Sequence, residues 1–314
     1  MSLLVAITHW EVAPWAERFA RLLPDRPVVT LEAPFDARDI RYVASWKHPP
    51  GSLAGLPNLR VIFSLGAGVD HLMDDDRLPA VPIVRVVDPD LTNRMSEYVV
   101  LHCLLHLRQQ RRYDRQQRER IWADDRFQPA AREVRVGIMG LGVLGQDAAR
   151  KLQVIGFDVA GWSRSPRAVP GVPTFAGEDG LGPFLARTDI LACLLPLTPQ
   201  TRGLLGRALF RGLARDGRLG GPVVINAGRG GLQVEADILA CLDDGTLKAA
   251  TLDVFETEPL PVSSPLWSHP GVTLTPHNAA MSDPESISAQ VAEQIRRHEA
   301  GEPLRNVVDP RLGY

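Results

Sequence analysis

The sequence predicts an α/β protein of two doubly wound parallel-sheet domains, one inserted in the other. Three observations predict it. Short runs rich in β-branched and apolar residues alternate with helical stretches along the whole chain, the pattern of repeated βαβ units. Gly140-Leu-Gly-Val-Leu-Gly145 stands between one of these runs and a helix. A second set of strand candidates is already complete near residue 275. The last helix therefore crosses back to the first domain. The expected boundaries are 1–97 with 282–314 for the discontinuous domain and 98–281 for the inserted one.

Composition narrows the function classes. The 314 residues suffice for two domains, and 45% hydrophobic against 23% charged residues gives a packed core rather than disorder. Lys+Arg total 35 and Asp+Glu 37, a net charge of -2, so no global field draws the chain to nucleic acid or an anionic membrane. Cys103, Cys193 and Cys241 are too few and too scattered for a disulfide framework or a zinc site. His102 and His106 have helical i, i+4 spacing but no third ligand beside them, so a structural role and no metal site are expected. No apolar run approaches the ~20 residues of a spanning helix. The opening apolar stretch has no basic residues before it and no small-residue cleavage pattern, so it reads as a strand rather than a leader, and a cytoplasmic location is expected.

In order along the chain, strands are expected at 3–8, 41–45, 61–65 and 83–87, with Pro49-Pro50-Gly51 as a turn between them. A long helix is expected over about 92–122. Val99, Cys103 and Leu107 form one apolar stripe on it, while 108–120 is densely charged and carries no aromatic platform for RNA. That half reads as solvated or subunit-facing. A second set of strands is expected at 134–139, 158–162, 189–195, 223–226, 249–254 and 272–275. The closing helix has Ser282 and Glu285 at capping-box spacing, Pro284 in the first turn, the stripe Ile287, Val291 and Ile295, and Gly301 as its stop.

A lone G-x-G-x-x-G is a weak signal. Here it follows a strand and opens a helix, which is the context of the Rossmann dinucleotide fingerprint. Gly140 permits the tight turn, Gly142 lets backbone approach a pyrophosphate, and Gly145 lets helix pack on strand. The amides at Val143 and Leu144, at the helix N-terminus, face the anion. For NAD the next strand would end in Asp or Glu. It runs instead into Ser163-Arg164-Ser165, where a guanidinium flanked by hydroxyls suits a 2′-phosphate. NADPH is therefore expected over NADH, without excluding NADH.

Ligands of doubly wound sheets bind outside the carboxyl ends of the strands. Three successive strands here run into Asn226-Ala-Gly-Arg229, Asp253-Val-Phe-Glu-Thr-Glu258 and Thr275-Pro-His277. Taken singly, Arg229 could be a surface cation, Glu258 a turn acid before proline and His277 a satisfied imidazole. Together they suit hydride transfer to a 2-oxo acid. Arginine holds the carboxylate and polarises the carbonyl, histidine delivers the proton, and the carboxylate favours the imidazolium form.

With these residues in view, the chain resembles the D-isomer-specific 2-hydroxyacid dehydrogenases over nearly its whole length. The matching stretches are 65–70 (Leu65-Gly-Ala-Gly-Val-Asp70), 140–145, 225–231, 252–261 and 275–277. Within that family it is most similar to bacterial glyoxylate/hydroxypyruvate reductases, through Trp46 near His48-Pro49-Pro50, Trp162-Ser163-Arg164, 264–270 and the ending Arg311-Leu-Gly-Tyr314. The resemblance implies a Rossmann cofactor domain inserted in a flavodoxin-like substrate domain, and Arg229, Glu258 and His277 as the catalytic set. It implies that Asp253 holds the nicotinamide carboxamide and that Leu195, Pro196, Ala227 and Ala279 line the cofactor. It implies Trp46 and the amides of Ala67 and Gly68 as substrate contacts beside Arg229. With the 99–103–107 stripe it also implies a homodimer. Small 2-oxo acids are the expected partners, with neither nucleic acid nor membrane. Nucleotide-sensing corepressors of the same family are the non-enzymatic alternative, and a dehydrogenase of another 2-hydroxy acid the enzymatic one. Formate dehydrogenases have glutamine in place of Glu258. Three departures stand out: Asn278 after the histidine, Gly228 before the arginine, and Lys47 inserted beside Trp46.

Overall fold

The computed structural model describes residues 1–309 and 311–313; Tyr314, which closes the Arg311-Leu-Gly-Tyr314 stretch, lies outside the described residues. The chain forms two compact units. Unit 1 holds Met1–Leu91 and the stretch from Ser282 onward, and unit 2 is Thr92–Met281. The first break thus falls at 91/92, inside a helix, rather than at 97/98.

Unit 1 opens with β1 (Ser2–Ile7), α1 (Val12–Leu22), β2 (Val28–Thr30), β3 (Ile40–Trp46), β4 (Val61–Ser64), α2 (Asp70–Met73) and β5 (Ile83–Val84). Helix α3 (Pro89–Leu107) carries the chain across the break, and α4 (Gln110–Glu119) follows it. Unit 2 continues with β6 (Arg135–Met139), α5 (Val143–Ile155), β7 (Asp158–Ser163), β8 (Thr174–Ala176), α6 (Gly177–Ala186), β9 (Ile190–Cys193) and α7 (Arg207–Arg211). It ends with β10 (Val223–Asn226), α8 (Glu235–Asp243), β11 (Ala249–Leu252) and β12 (Val272–Leu274), and α9 (Pro284–Glu299) returns to unit 1.

Both sheets are parallel throughout. Unit 1 has the order β2-β1-β3-β4-β5 and unit 2 the order β12-β11-β10-β9-β6-β7-β8. The first is the flavodoxin-like winding, and the second is the Rossmann winding with one added edge strand. Each sheet is covered on both faces, so its strands read as continuous apolar runs. In β1, Leu3, Val5 and Ile7 join Trp15, Phe19, Ile287, Val291 and Ile295 on one face, while Leu4 and Ala6 join Leu53 and Leu72 on the other. Each large α9 side chain buried there contributes about 1.5–3 kcal/mol.

Four expectations need correction. The 92–122 helix is two helices, because Gln109 takes a left-handed φ of 54° and breaks the ladder between α3 and α4. Val99, Cys103 and Leu107 are buried in the core of unit 2, packed with Val136, Ile138 and Ile190, so the stripe is not an interface. The cap of α9 is Asp283, not Ser282; its carboxylate accepts from the Glu285 and Ser286 amides, with Pro284 next in line. Strands β2 and β8 were not expected; each is a three-residue edge strand.

Candidate active site

The glycine loop lies where the strand order of unit 2 reverses, between β6 and β9. Gly140 has φ 110°, open to glycine but costly for other residues, and a Cβ there would sit 2.9 Å from the Leu194 carbonyl oxygen. A Cβ on Gly145 would fall 1.8 Å from the Gly140 oxygen, so the first turn of α5 presses directly on the loop. At Gly142 a Cβ would meet nothing within 4 Å. Gly142 precedes α5, no side chain caps that helix, and the amides of Val143, Leu144 and Gly145 have no partner within it. A turn with bare backbone and an uncapped helix N-terminus fits a dinucleotide pyrophosphate. Leu195 and Pro196 follow β9 at the same reversal, and Ala227 follows β10 with its amide donating to the Cys193 carbonyl at 3.3 Å.

Ser163, at the end of β7, donates its hydroxyl to the Ser165 carbonyl at 2.8 Å. Its proton is committed to closing the turn, and the turn exposes Arg164 and Ser165. Arg167, to which the sequence assigns no role, extends a guanidinium N–H toward the Leu141 carbonyl of the glycine loop at 3.4 Å.

Arg229 hangs on a turn built around Asn226. The fully buried Asn226 amide donates to the Arg229 carbonyl (3.1 Å) and to Gln233 Oε1 (2.8 Å), and its oxygen accepts the Gly228 amide (3.1 Å). Gln233 in turn donates to the Val254 carbonyl at 2.9 Å. The departure at Gly228 has a local cause: a Cβ there would lie 2.8 Å from both the Leu195 oxygen and a Leu232 methyl.

Asp253, 1% exposed, organises the neighbouring strand end. Its Oδ1 accepts from the Thr275 hydroxyl (2.6 Å) and the Asn278 amide (3.0 Å), and its Oδ2 from the Ala279 amide (3.0 Å). Its main-chain carbonyl accepts from the His277 amide at 2.8 Å. This wrapping holds His277 at φ 52°, a left-handed conformation that persists in a non-glycine residue only where its surroundings enforce it. Asn278 contributes backbone to the turn and leaves its side chain exposed. His277 Nδ1 pairs with Glu258 Oε2 at 2.8 Å, and Glu258 Oε1 accepts the Phe255 amide at 3.1 Å. A carboxylate on Nδ1 fixes the tautomer and leaves Nε2 to exchange a proton.

Trp46, Ala67 and Gly68 belong to unit 1, at the carboxyl ends of β3 and β4. Trp46 stacks on Trp10 with centroids 4.8 Å apart, and a Cβ on Gly66 would lie 2.2 Å from its ring. The Ser64 hydroxyl reaches the Gly66 and Gly68 carbonyls at 3.1 and 3.0 Å, shaping the 66–68 turn. The inserted Lys47 is absorbed in a left-handed residue (φ 47°), and Trp46 keeps its register opposite Ile7. His106 Nε2 meets the Thr251 hydroxyl at 2.8 Å, and His102 packs against the Tyr98 ring. Among the described residues, no group of three or more His, Cys, Asp or Glu side chains is arranged to hold a metal ion.

Comparison with known proteins points the same way. Residues 100–279 match the family described as D-isomer specific 2-hydroxyacid dehydrogenase, NAD binding domain. A protein of Serratia proteamaculans named glyoxylate/hydroxypyruvate reductase A is 39% identical over 100% of both chains. A crystal structure of an NADPH-dependent glyoxylate/hydroxypyruvate reductase from Sinorhizobium meliloti, in complex with NADP and sulfate, superposes with TM-score 0.94 at 51% identity, covering 100% of this chain and 99% of that one. A probable 2-hydroxyacid dehydrogenase from Rhizobium etli, in complex with NADP, HEPES and L(+)-tartaric acid, gives TM-score 0.94 at 47% identity over the same shares. With a full-length relative at this identity and a family match over more than half its length, the chain belongs to the D-isomer specific 2-hydroxyacid dehydrogenases.

Proposed function

We propose that this protein reduces small 2-oxo acids, glyoxylate and hydroxypyruvate foremost, with NADPH, giving D-2-hydroxy acids where the product is chiral. The observation that carries the reading is the His277–Glu258 pair beside the Arg229 turn, on neighbouring strands of a sheet whose reversal point fits a dinucleotide. Bound NADPH supplies the hydride. Arg229 holds the substrate carboxylate and polarises the carbonyl through its forked donors. His277 delivers a proton from Nε2 to the carbonyl oxygen, and Glu258 holds the ring and balances the imidazolium charge. Asp253 accepts from the nicotinamide carboxamide. Leu195, Pro196, Ala227 and Ala279 would line the cofactor, and Arg164, Ser165 and Arg167 would receive its 2′-phosphate. For unit 1 we propose substrate contacts at Trp46 and at the amides of Ala67 and Gly68. The names of the relatives and the NADP in their structures support this reading.

The test is direct. Full-length protein with NADPH and glyoxylate should consume nicotinamide absorbance at 340 nm, at a rate well above that with NADH. Arg229→Ala should lose about 2–5 kcal/mol of transition-state stabilisation, the usual cost of a lost charged contact. Near-wild-type turnover in that variant would refute the assignment.

We also propose a homodimer. Its support is a run of exposed apolar side chains after α4, with Ile121 half exposed, Trp122 100% and Phe127 85% exposed. Apolar groups so placed mark contact surfaces. A monomer mass by light scattering at micromolar protein would refute it. Cys103, Cys193 and Cys241 are all free thiols, which fits the reducing cytoplasm.

A further inference from the structure

The buried side chain of Tyr98, on α3, is used by none of the proposed catalytic steps. Its hydroxyl lies 2.7 Å from Thr275 Oγ1, and Thr275 Oγ1 lies 2.6 Å from Asp253 Oδ1. Proton counting sets the direction of this chain of hydrogen bonds. A carboxylate only accepts, so Thr275 spends its single proton on Asp253. The remaining hydrogen bond of Thr275 must then come from Tyr98. Burial raises the Tyr98 pKa above its ordinary value, which keeps that hydroxyl a donor throughout the working range. The ring is wedged against His102, with centroids 4.2 Å apart, so the hydroxyl has little freedom to turn away.

At its other end the chain meets a nearly saturated group. A carboxylate offers about four lone-pair sites. Thr275 and Asn278 occupy both on Oδ1, and Ala279 occupies one on Oδ2. What remains is one acceptor site on Oδ2, aimed by the three donors that hold the rest. Of these three, the two amides belong to the turn itself, and only the Thr275 hydroxyl has a rotor that needs outside support.

We propose that Tyr98 and Thr275 are positioning residues: the Tyr98 hydroxyl, through Thr275, fixes the Asp253 carboxylate, and so selects the nicotinamide end of the cofactor and steadies the turn that carries His277. The inference rests on the proposed use of NADPH. It concerns one end of the cofactor only, which makes it separable from a general effect on folding.

The experiment uses full-length protein and two probes: NADPH, and 2′-phospho-ADP-ribose, which lacks the nicotinamide. Affinities are read by calorimetry, without turnover. Thr275→Val should weaken NADPH about tenfold, equivalent to about 1.4 kcal/mol, and leave 2′-phospho-ADP-ribose within about twofold. Thr275→Ser, which restores the hydroxyl, should return NADPH to within about threefold of wild type. Tyr98→Phe keeps the ring and its packing, and should weaken NADPH about threefold while sparing the other probe. The inference is overturned if Thr275→Val and Tyr98→Phe bind NADPH as the wild type does, or if they lose both probes equally, as a loosened fold would. Wild-type protein that bound neither probe would overturn the NADPH reading itself, and this inference with it.

Discussion

The two sheets of this molecule reverse their strand order in the same manner and use the reversal in opposite ways. In unit 2 the gap between β6 and β9 is lined with bare backbone: Gly140, Gly142 and Gly145 leave it open. In unit 1 the corresponding reversal lies between β1 and β3, and there the chain sends out tryptophans. Trp10 follows β1, Trp46 ends β3, and their rings stack at 4.8 Å and 8°, with Trp15 behind Trp10 at 5.6 Å and 11°. The winding creates a crevice in both sheets. The residues just beyond each strand decide whether backbone amides or aromatic faces line it, and therefore whether it suits an anion or a small organic surface.

The largest effect expected from breaking this contrast is at Gly145. A methyl 1.8 Å from the Gly140 oxygen can be accommodated only by moving the loop. Gly145→Ala should therefore incur about 3 kcal/mol of overpacking and lose about 100-fold in NADPH affinity, read by fluorescence titration. Trp10→Ala attacks the filled crevice instead. Losing one partner of a half-buried stack should destabilise the protein by about 2 kcal/mol in urea unfolding, with NADPH affinity held within about twofold. A large loss of affinity would show that the two crevices are not independent. Gly142→Ala adds a methyl that meets no protein atom within 4 Å. The melting temperature should stay within about 1 °C, while NADPH affinity falls about tenfold, near 1.4 kcal/mol, if the open side of Gly142 is the proposed approach of the pyrophosphate.

Acid should separate the units most gently. Burial pushes His106 down to about 3 and moves His102 in the same direction. The unfolded chain takes up these protons first, near its ordinary value of about 6.5. The stability is thus complete above that pH and is lost as pH falls from there toward 3, by up to about 1.4 kcal/mol per pH unit for His106. Both histidines are in unit 2, and so are all three thiols, of which burial pushes Cys193 up to about 12. Thiol exposure in urea should therefore shift to lower denaturant between pH 7.5 and 5.5, and His106→Gln should reduce the shift. An equal shift in that variant would assign the acid sensitivity elsewhere.

The same contrast explains how much the sequence reveals. The open crevice is legible because it is a contiguous glycine pattern after a strand, and Arg229, Glu258 and His277 are legible because their side chains carry distinct chemistry at successive strand ends. The tryptophan stack brings together residues from separate segments, and no local pattern announces it. Asn226 and Gln233 act on backbone groups of the turns beside them, and Thr275 on the Asp253 carboxylate from the next strand, so their roles exist only in the folded geometry. Strands β2 and β8 escape notice because three partly exposed residues carry no periodicity. The helix break at Gln109 escapes because a left-handed glutamine leaves no mark in composition. The 99–103–107 stripe is apolar as its spacing indicates, yet it meets the core rather than a partner, since period alone does not say which apolar surface a helix meets.

The interruption of unit 1 by unit 2 also sets an order of events during synthesis. Residues 92–281 emerge from the ribosome as one uninterrupted stretch, and the strands of their seven-stranded sheet are all outside before α9 has emerged. The first 91 residues emerge earlier yet must wait, because Ile287, Val291, Ala292 and Ile295 of α9 cover one face of their sheet. Until α9 arrives, the part of that apolar face it covers, beside Trp15 and Phe19 of α1, faces water. Exposed apolar surface on a partly folded chain is what chaperones bind. Of the two units, the one begun first is therefore finished last, and it bears the greater risk of aggregation in the interval.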